Sequence, residues 1–207
     1  MKVLLVNGSP HERGCTHAAL LEVEKALQEN GLETEIYQIG KDPIAGCLGC
    51  GACRKLGKCV TEDGVAAFIE KAKEADGFIF GSPVYYASPA GSLICLMNRA
   101  FYCGGKHLAY KPAAAVVSSR RAGSTTTFDA LNKYFTINNM PIVSSDYWNE
   151  VHGANGKAED VAKDEEGLHT MRVLGNNMAW LVKCLALGKK QGIEPKKEDK
   201  LRTDFIR

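Results

Sequence analysis

The sequence predicts an α/β fold: an open, doubly wound sheet of five parallel strands in the order 2-1-3-4-5, with helices on both faces. Strand and helix patterns alternate from the first residue, and the helical segments are long enough to be the crossovers that parallel strands require. The strands are mostly apolar runs, as expected of a sheet that is covered on both faces. Five such units favour this strand order over the six-stranded dinucleotide-binding order.

The first half of the chain supplies three of these strands. Lys2–Asn7 is an apolar, β-rich run, and Thr16–Asn30 follows it with apolar residues at helical spacing and ends before a glycine. Glu33–Ile39 alternates between polar and apolar residues and is predicted as the second strand. A helix marked by apolar residues over 65–72 and a short buried strand at Gly77–Gly81 come next.

The second half repeats the alternation. Apolar residues over 93–101 outline a helix, and Pro112–Ser118 is predicted as the fourth strand. Thr126–Asn138 is predicted as a helix and Met140–Ser144 as the fifth strand. A long amphipathic helix with apolar positions from Leu168 to Leu185 ends the pattern.

Length and composition indicate one domain. The 207 residues, of which 45% are hydrophobic, are enough for one well-buried core. We predict a domain over 1–187, with a Cys-rich loop at 44–60 inserted after the second strand, and a charged tail over 188–207. A formal net charge of +2 argues against nucleic-acid and membrane-surface partners. Apolar runs of only strand length and an N-terminus unlike a signal peptide favour a cytoplasmic protein with reduced cysteines.

Four of the eight cysteines stand close together in the sequence. Cys47, Cys50, Cys53 and Cys59 have the spacing C-x2-C-x2-C-x5-C. Thiolates this close are typical of a cluster or metal ligand set, or of a redox group. The pattern resembles the ligation of a cubane iron–sulfur cluster more than that of zinc, which usually binds two separated knuckles. The alternative is that they are ordinary reduced cysteines in a Gly-rich loop.

The segment Asn7–Thr16 joins the first strand to the first helix, where an open α/β sheet binds its ligands. Its glycines permit tight turns, and Ser9 and Thr16 supply hydroxyl groups. The N–H groups at the helix start favour a phosphate, and His11 adds potential positive charge. Neither a G-x-G-x-x-G nor a Walker pattern is present, so we expect a phosphate site of another kind. The alternative is a plain strand-to-helix turn.

Together these motifs resemble the NAD(P)H-dependent FMN reductase and iron–sulfur flavoprotein group of the flavodoxin-like superfamily. The matching segments are Gly8-Ser9-Pro10 with Gly14-x-Thr16, the four cysteines, Gly81-Ser82-Pro83-Val84-Tyr85-Tyr86, Tyr147-Trp148 with His152-Gly153, and Asp164-Glu165-Glu166-Gly167. The resemblance thus covers nearly the whole chain and implies a flavodoxin-like fold that binds FMN. It implies that Ser9, His11, Cys15 (through its backbone) and Thr16 hold the FMN phosphate. The family commonly has Arg where His11 stands and Asn where Cys15 stands.

Two further loops are expected to hold the flavin ring. Pro83, Val84, Tyr85 and Tyr86 follow the third strand and offer an apolar wall with backbone donors. The loop after the fourth strand closes over the pyrimidine edge of the ring in relatives, and a cation there would stabilise an anionic reduced flavin or meet a nucleotide phosphate. Its candidate residues are Ser119, Arg120 and Gly123. As hypotheses, Trp148 and His152 line the substrate side of the flavin, either in the same subunit or from a neighbouring one.

The resemblance implies an FMN-dependent oxidoreductase that takes hydride from NAD(P)H and passes electrons to a small-molecule acceptor such as a quinone or a flavin. No catalytic residue is assigned, because the flavin performs the chemistry. The first alternative is an electron carrier with a [4Fe–4S] cluster on the four cysteines and a ferredoxin-like protein donor.

Three other functions stay open: a simple flavodoxin-type carrier, a redox sensor whose cysteine loop forms disulfides, and a zinc-stabilised binding module. The near-neutral charge weighs against the simple carrier, since such proteins are usually strongly acidic. We expect a homodimer or homotetramer, with the long segment Ser145–Lys163 as an active-site flap or interface arm.

Overall fold

A parallel sheet forms the centre of the computed structural model, which describes residues 1–154, 156–199, 201, 203 and 205. The strands are β1 (Lys2–Asn7), β2 (Glu33–Gln38), β3 (Gly77–Tyr85), β4 (Ser88–Pro89), β5 (Ala113–Ser119) and β6 (Glu150–His152). Five of them run parallel in the order β2-β1-β3-β5-β6, and β4 pairs antiparallel with the end of β3. Apart from this short hairpin strand, the order is the predicted one, and the predicted fold class is confirmed.

Helices cover both faces of the sheet. They are α1 (Cys15–Glu29), α2 (Ala52–Leu56), α3 (Gly64–Glu74), α4 (Gly91–Gly104), α5 (Ser124–Ile137), α6 (Ala158–Val161) and α7 (Glu165–Lys190). Because side chains alternate along a strand, Leu4 and Val6 of β1 pack with α3, α4 and α5, whereas Val3 and Leu5 pack with α1 and α7. The two apolar layers hold the carboxyl ends of β1, β3 and β5 side by side, which places the loops that follow them at one edge.

The predicted fifth strand at Met140–Ser144 is wrong in its bounds. Only Ile142 there forms a bridge, to Ala113, and the parallel partner of the second half of β5 is β6. Pro141 has no N–H to donate to a ladder, and the polar segment that follows leaves the sheet before returning as β6. Asn149 fills part of the gap, because its Nδ2 donates to the carbonyl of Ala115 at 3.0 Å.

Three other regions differ in detail from the sequence prediction. Helix α7 continues to Lys190, past the predicted domain end at 187, and β3 extends to Tyr85. The segment Ser145–Lys163 contains β6 and α6 and is therefore not a plain loop. Among the described helices, none is long and apolar enough to cross a membrane.

Candidate functional site

The loop over residues 8–14, here called the phosphate loop, is shaped by hydrogen bonds to its own Ser9 and to side chains at the ends of β1 and β2. The N–H of Ser9 donates to Asn7 Oδ1 at 3.1 Å, and the N–H of His11 donates to Ser9 Oγ at 3.1 Å. Gln38 Nε2 donates to the carbonyl of Ser9 at 2.7 Å, and Asn7 Nδ2 donates to Gln38 Oε1 at 2.5 Å. Such local bonds favour turns over regular structure. The chain itself therefore fixes this loop beside the helix start.

Gly8 sits where a side chain has no room. Its N–H donates to the carbonyl of Gly81 at 2.8 Å, and a Cβ on Gly8 would lie 2.6 Å from that oxygen and 2.6 Å from Leu93.

The N-cap of α1 is Gly14, which has no side-chain acceptor, so the first N–H groups of α1 remain for an anion. Thr16 Oγ1 and Ser118 Oγ are 2.8 Å apart and join this helix start to β5.

The phosphate loop borders a cavity of about 350 Å³, here called the edge cavity. Its lining residues are Ser9, His11, Gly14, Cys15, Thr16, Pro83, Val84, Tyr85, Ser118, Ser119, Arg120, Gly153 and Gly156. All of the predicted cofactor-binding residues are brought together here except Tyr86 and Gly123. The volume lies in the range of roughly 300–1,000 Å³ that is usual for small-molecule and cofactor sites.

Tyr86 lies beside the edge cavity in a tight hairpin, and Gly123, the N-cap of α5, packs against that hairpin. Tyr86 is fully exposed, and it and Ala87 both have positive φ, 50° and 57°, at the turn between β3 and β4. Gly123, at φ +90°, has no room for a Cβ, which would lie 2.9 Å from Ala87 Cα. A turn with two positive φ values usually contains glycine or asparagine, so this hairpin carries local strain. Both residues support the hairpin that carries Val84 and Tyr85.

The edge cavity also holds an unpaired polar atom. Ser119 Oγ is buried and has no hydrogen-bond partner among the described residues. Buried hydroxyl groups are normally satisfied, so this one calls for a polar ligand. Together with the uncapped start of α1 and the apolar wall of Pro83 and Val84, it fits a molecule that has both a phosphate and a polar ring edge. The residues present therefore fit FMN.

Sequence reasoning assigned no role to several residues that shape this site. Asn7 and Gln38 pair in register at the ends of β1 and β2, which a strand prediction could have shown. Gly153 lies against Cys15, since a Cβ on it would be 2.7 Å from the Cys15 Sγ. That thiol donates to the carbonyl of Lys157 at 3.3 Å, and burial raises its pKa. The side chain of Cys15 thus holds the segment after β6, which leaves its backbone for the cavity.

The two residues proposed for the substrate side lie elsewhere. Trp148 borders a separate surface cavity together with Tyr147. The backbone N–H of His152 donates to Asp164 Oδ2 at 2.6 Å, and Asp164 also caps α7. Neither residue lines the edge cavity.

The four predicted ligand cysteines surround a second, smaller space of about 30 Å³, here called the cysteine pocket. Its other lining residues are Leu48, Gly49, Gly51, Val60, Thr61, Arg99, Tyr102 and Cys103. Within the described part of the chain, no three His, Cys, Asp or Glu side chains are grouped to hold a single metal ion. In a cubane cluster each thiolate binds a different iron, so the ligands surround a common space instead of meeting at one point. The arrangement fits a [4Fe–4S] cluster better than a zinc ion.

Arg99 of α4, which sequence reasoning missed, joins this pocket to the fold. Its Nε and Nη2 donate to Cys59 Sγ at 3.3 and 3.2 Å, and its Nη1 donates to Asp63. Burial raises the pKa of the Cys59 thiol, but a backbone hydrogen bond from Thr61 and the bonds from Arg99 together bring that pKa below its ordinary value. A charged residue inside the apolar pattern of a helix is the sequence signal that could have revealed it.

The comparisons with known proteins agree with this geometry. The family model described as NADPH-dependent FMN reductase matches residues 1–155. An iron–sulfur flavoprotein of Methanocaldococcus jannaschii is 36% identical over 191 residues, which are 89% of this chain and 99% of that protein. An iron–sulfur flavoprotein of Methanosarcina thermophila is 33% identical over 150 residues, 69% of this chain and 77% of that protein.

Solved structures agree on the fold. RosB, crystallised with a bound 8-demethyl-8-formylriboflavin-5′-phosphate intermediate, superposes with a TM-score of 0.72 at 14% identity over 100% of this chain and 92% of that one. An archaeal flavodoxin gives a TM-score of 0.59 at 14% identity, covering 88% of this chain and 99% of that one. With both the sequence match and the fold in agreement, the chain belongs to the NADPH-dependent FMN reductase family of flavodoxin-like, FMN-binding oxidoreductases, in the group of the iron–sulfur flavoproteins.

Proposed function

We propose that this chain is an iron–sulfur flavoprotein that binds FMN in the edge cavity and a [4Fe–4S] cluster on Cys47, Cys50, Cys53 and Cys59, and that it accepts electrons from a ferredoxin-like protein. The observation that carries the proposal is that these four cysteines line one pocket, where Cys103 is the other cysteine and no acidic or histidine side chain among the described residues takes part. The similarity to the two archaeal iron–sulfur flavoproteins supports it, since one of them aligns over 99% of its length.

The edge cavity would hold the phosphate of FMN through the chain's own groups. The hydroxyls of Ser9 and Thr16 and the N–H groups at the start of α1 supply hydrogen bonds to it, and the helix macrodipole favours its negative charge. His11 adds a further donor at the rim. Since the phosphate loop is already folded by Asn7 and Gln38, little conformational entropy is lost when the ligand binds.

The ring of FMN would lie against the hairpin after β3. Pro83 and Val84 offer it an apolar surface, and Ser119 Oγ supplies a donor to its polar edge. FMN, when bound, supplies hydride and single-electron chemistry, and the cluster supplies a store for single electrons. The protein's part is to orient the ring and to place a cation, Arg120, at the mouth of the cavity.

A second candidate function is that of an NAD(P)H-dependent reductase of a quinone, a flavin or a similar small acceptor. The observation that favours it is Arg120, an exposed guanidinium at the edge cavity that could meet a nucleotide phosphate. The description of the matching family as NADPH-dependent points the same way.

Rates of flavin reduction in protein purified without oxygen separate the two functions. We expect a reduced ferredoxin to reduce the flavin much faster than NADH or NADPH does. Cys59→Ser should lose iron and the ferredoxin-driven rate but keep FMN. Cys184→Ser, which removes an exposed thiol on α7 outside the pocket, should keep all three. Fast reduction by NAD(P)H that Cys59→Ser leaves unchanged would instead support the second function.

A further inference from the structure

Arg99 is the largest fully buried side chain in the described part of the structure. A buried guanidinium is very unfavourable unless its donors and its charge are matched. Here all five N–H donors have acceptors. Besides Cys59 and Asp63, they bond the carbonyl of Ala45 at 3.1 Å and that of Thr61 at 3.0 Å. The side chain therefore holds the cysteine loop from both sides, before its first cysteine and after its fourth.

The contacts of Arg99 distinguish Cys59 from the other three cysteines. Cys59 Sγ accepts two of its N–H groups, whereas no hydrogen bond within the described residues reaches the Sγ of Cys47, Cys50 or Cys53. Cys103 also borders the pocket, on α4 one turn beyond Arg99, and it too receives no bond from the guanidinium. Among the cysteines that line the pocket, the Arg99 guanidinium thus donates to Cys59 alone.

Hydrogen bonds and positive charge at a ligand sulfur stabilise the reduced, more negative state of an iron–sulfur cluster more than its oxidised state. We propose that Arg99 is a positioning residue that fixes Cys59, and not Cys103, as the fourth cluster ligand, and that it raises the reduction potential of the cluster. This inference rests on the proposed cluster. Asp63, which binds the same guanidinium, partly neutralises it and limits the effect.

The test is an EPR-monitored redox titration of the holoprotein, purified without oxygen. Arg99→Gln should lower the ratio of reduced to oxidised cluster at a fixed potential by about tenfold, which is about 59 mV for a one-electron couple. Arg99→Lys keeps the charge but has only three donors. It should lower the reduction potential less than Arg99→Gln does, and its EPR spectrum should be closer to that of the wild type than the spectrum of Arg99→Gln is.

Arg54→Gln is the matched control. Arg54 lies in the same cysteine loop, but it is exposed and its Nη2 donates to Tyr102 Oη at 3.0 Å instead of to a sulfur. Its removal should leave the potential within a quarter of the Arg99→Gln shift. Equal shifts for Arg54→Gln and Arg99→Gln would overturn the proposal, because a general field effect would then explain both.

If Arg99→Gln does not fold, Asp63→Asn tests whether the charge of Arg99 raises the reduction potential of the cluster. Asparagine can still cap α3, and the variant keeps the bonds from Arg99 to Cys59 while removing the neutralising charge. The potential should rise, opposite to the change in Arg99→Lys. A fall in both variants would indicate mere loosening of the loop and would overturn the proposal. A wild-type protein without iron would refute the proposed function itself, whereas four irons with an unchanged potential in Arg99→Gln would refute only this inference.

Discussion

The edge cavity and the cysteine pocket are built in different ways. The cavity lies among the ends of β1, β3 and β5, and its phosphate loop is held by Asn7 and Gln38. The cysteine loop has no strand and only the short helix α2, and two of its cysteines are exposed. The buried side chain of Arg99 joins it to the fold at both ends. The first site takes its shape from the sheet, whereas the second depends on this arginine and, in our proposal, on a bound cluster.

The largest effect on stability should come from removing the partner of that arginine. Asp63→Ala leaves the buried guanidinium of Arg99 without its carboxylate and α3 without its cap. Breaking a buried ion pair costs about 3–5 kcal/mol. We expect the free energy of unfolding, measured with urea and circular dichroism, to fall by about that amount. Asp63→Asn, which preserves the cap, should lose less, and equal losses would mean that the cap contributes nothing and that the ion pair alone matters.

A glycine in each region tests whether the cavity is the more rigid one. In Gly8→Ala the new Cβ would meet the Gly81 carbonyl, a backbone atom that cannot move freely, whereas a Cβ on Gly46 of the cysteine loop meets nothing within 4 Å. Overpacking typically costs about 1–3 kcal/mol. Thermal unfolding should therefore show a lower stability for Gly8→Ala only. An FMN titration should show weaker binding for that variant only. A similar loss in Gly46→Ala would show that the loop is as tightly built as the cavity.

Gln38→Ala should separate the two sites functionally. The change removes the hydrogen bond to the Ser9 carbonyl and the acceptor for Asn7, each worth about 0.5–1.5 kcal/mol. Loss of this support should raise the Kd of FMN, measured by fluorescence quenching, by about tenfold. Iron content should stay that of the wild type. If iron is lost together with FMN, the two sites are not independent.

The sequence predicted the strands of the sheet better than the side-chain contacts that complete the two sites. Apolar alternation located β1, β2, β3 and β5, because each is a continuous run in the chain. The fifth strand was misplaced because Met140–Ser144 is apolar although only Ile142 there bridges to β5, and the side chain of Asn149, which no pattern of hydropathy reveals, fills part of the gap before β6. Turn residues and cysteine spacing indicated most of the cavity and the pocket. Arg99 and Gln38 carry weaker signals, a charge within an apolar helix and a register position at the end of a strand, and the partners that define their roles are distant in the chain.

The smallest expected effect on the free energy of unfolding comes from a change in a charge cluster that lies away from both sites. Hydrogen bonds from Lys2 and Lys71 lower the pKa of Glu35 on β2 below its ordinary value of 4.5. The carboxylate therefore stabilises the fold fully above pH 4.5, and this contribution is lost as the pH falls through the lowered pKa. Glu35→Gln should cost about 0.5–1 kcal/mol at pH 7.

Urea unfolding at pH 7 and pH 3 would check the Glu35 prediction. The difference between Glu35→Gln and the wild type should shrink at the lower pH, while FMN and iron content stay equal in the two proteins at pH 7. A difference that does not change with pH would mean that the ion pairs contribute nothing.

The central claim is that one chain holds both a flavin and a cluster. Quantitation of FMN, iron and sulfide in protein purified without oxygen tests it most directly. We expect one FMN and about four irons and four sulfides per chain, as a cubane held by four cysteines requires. FMN without iron would contradict the claim and would leave a flavin reductase whose four clustered cysteines bind no metal.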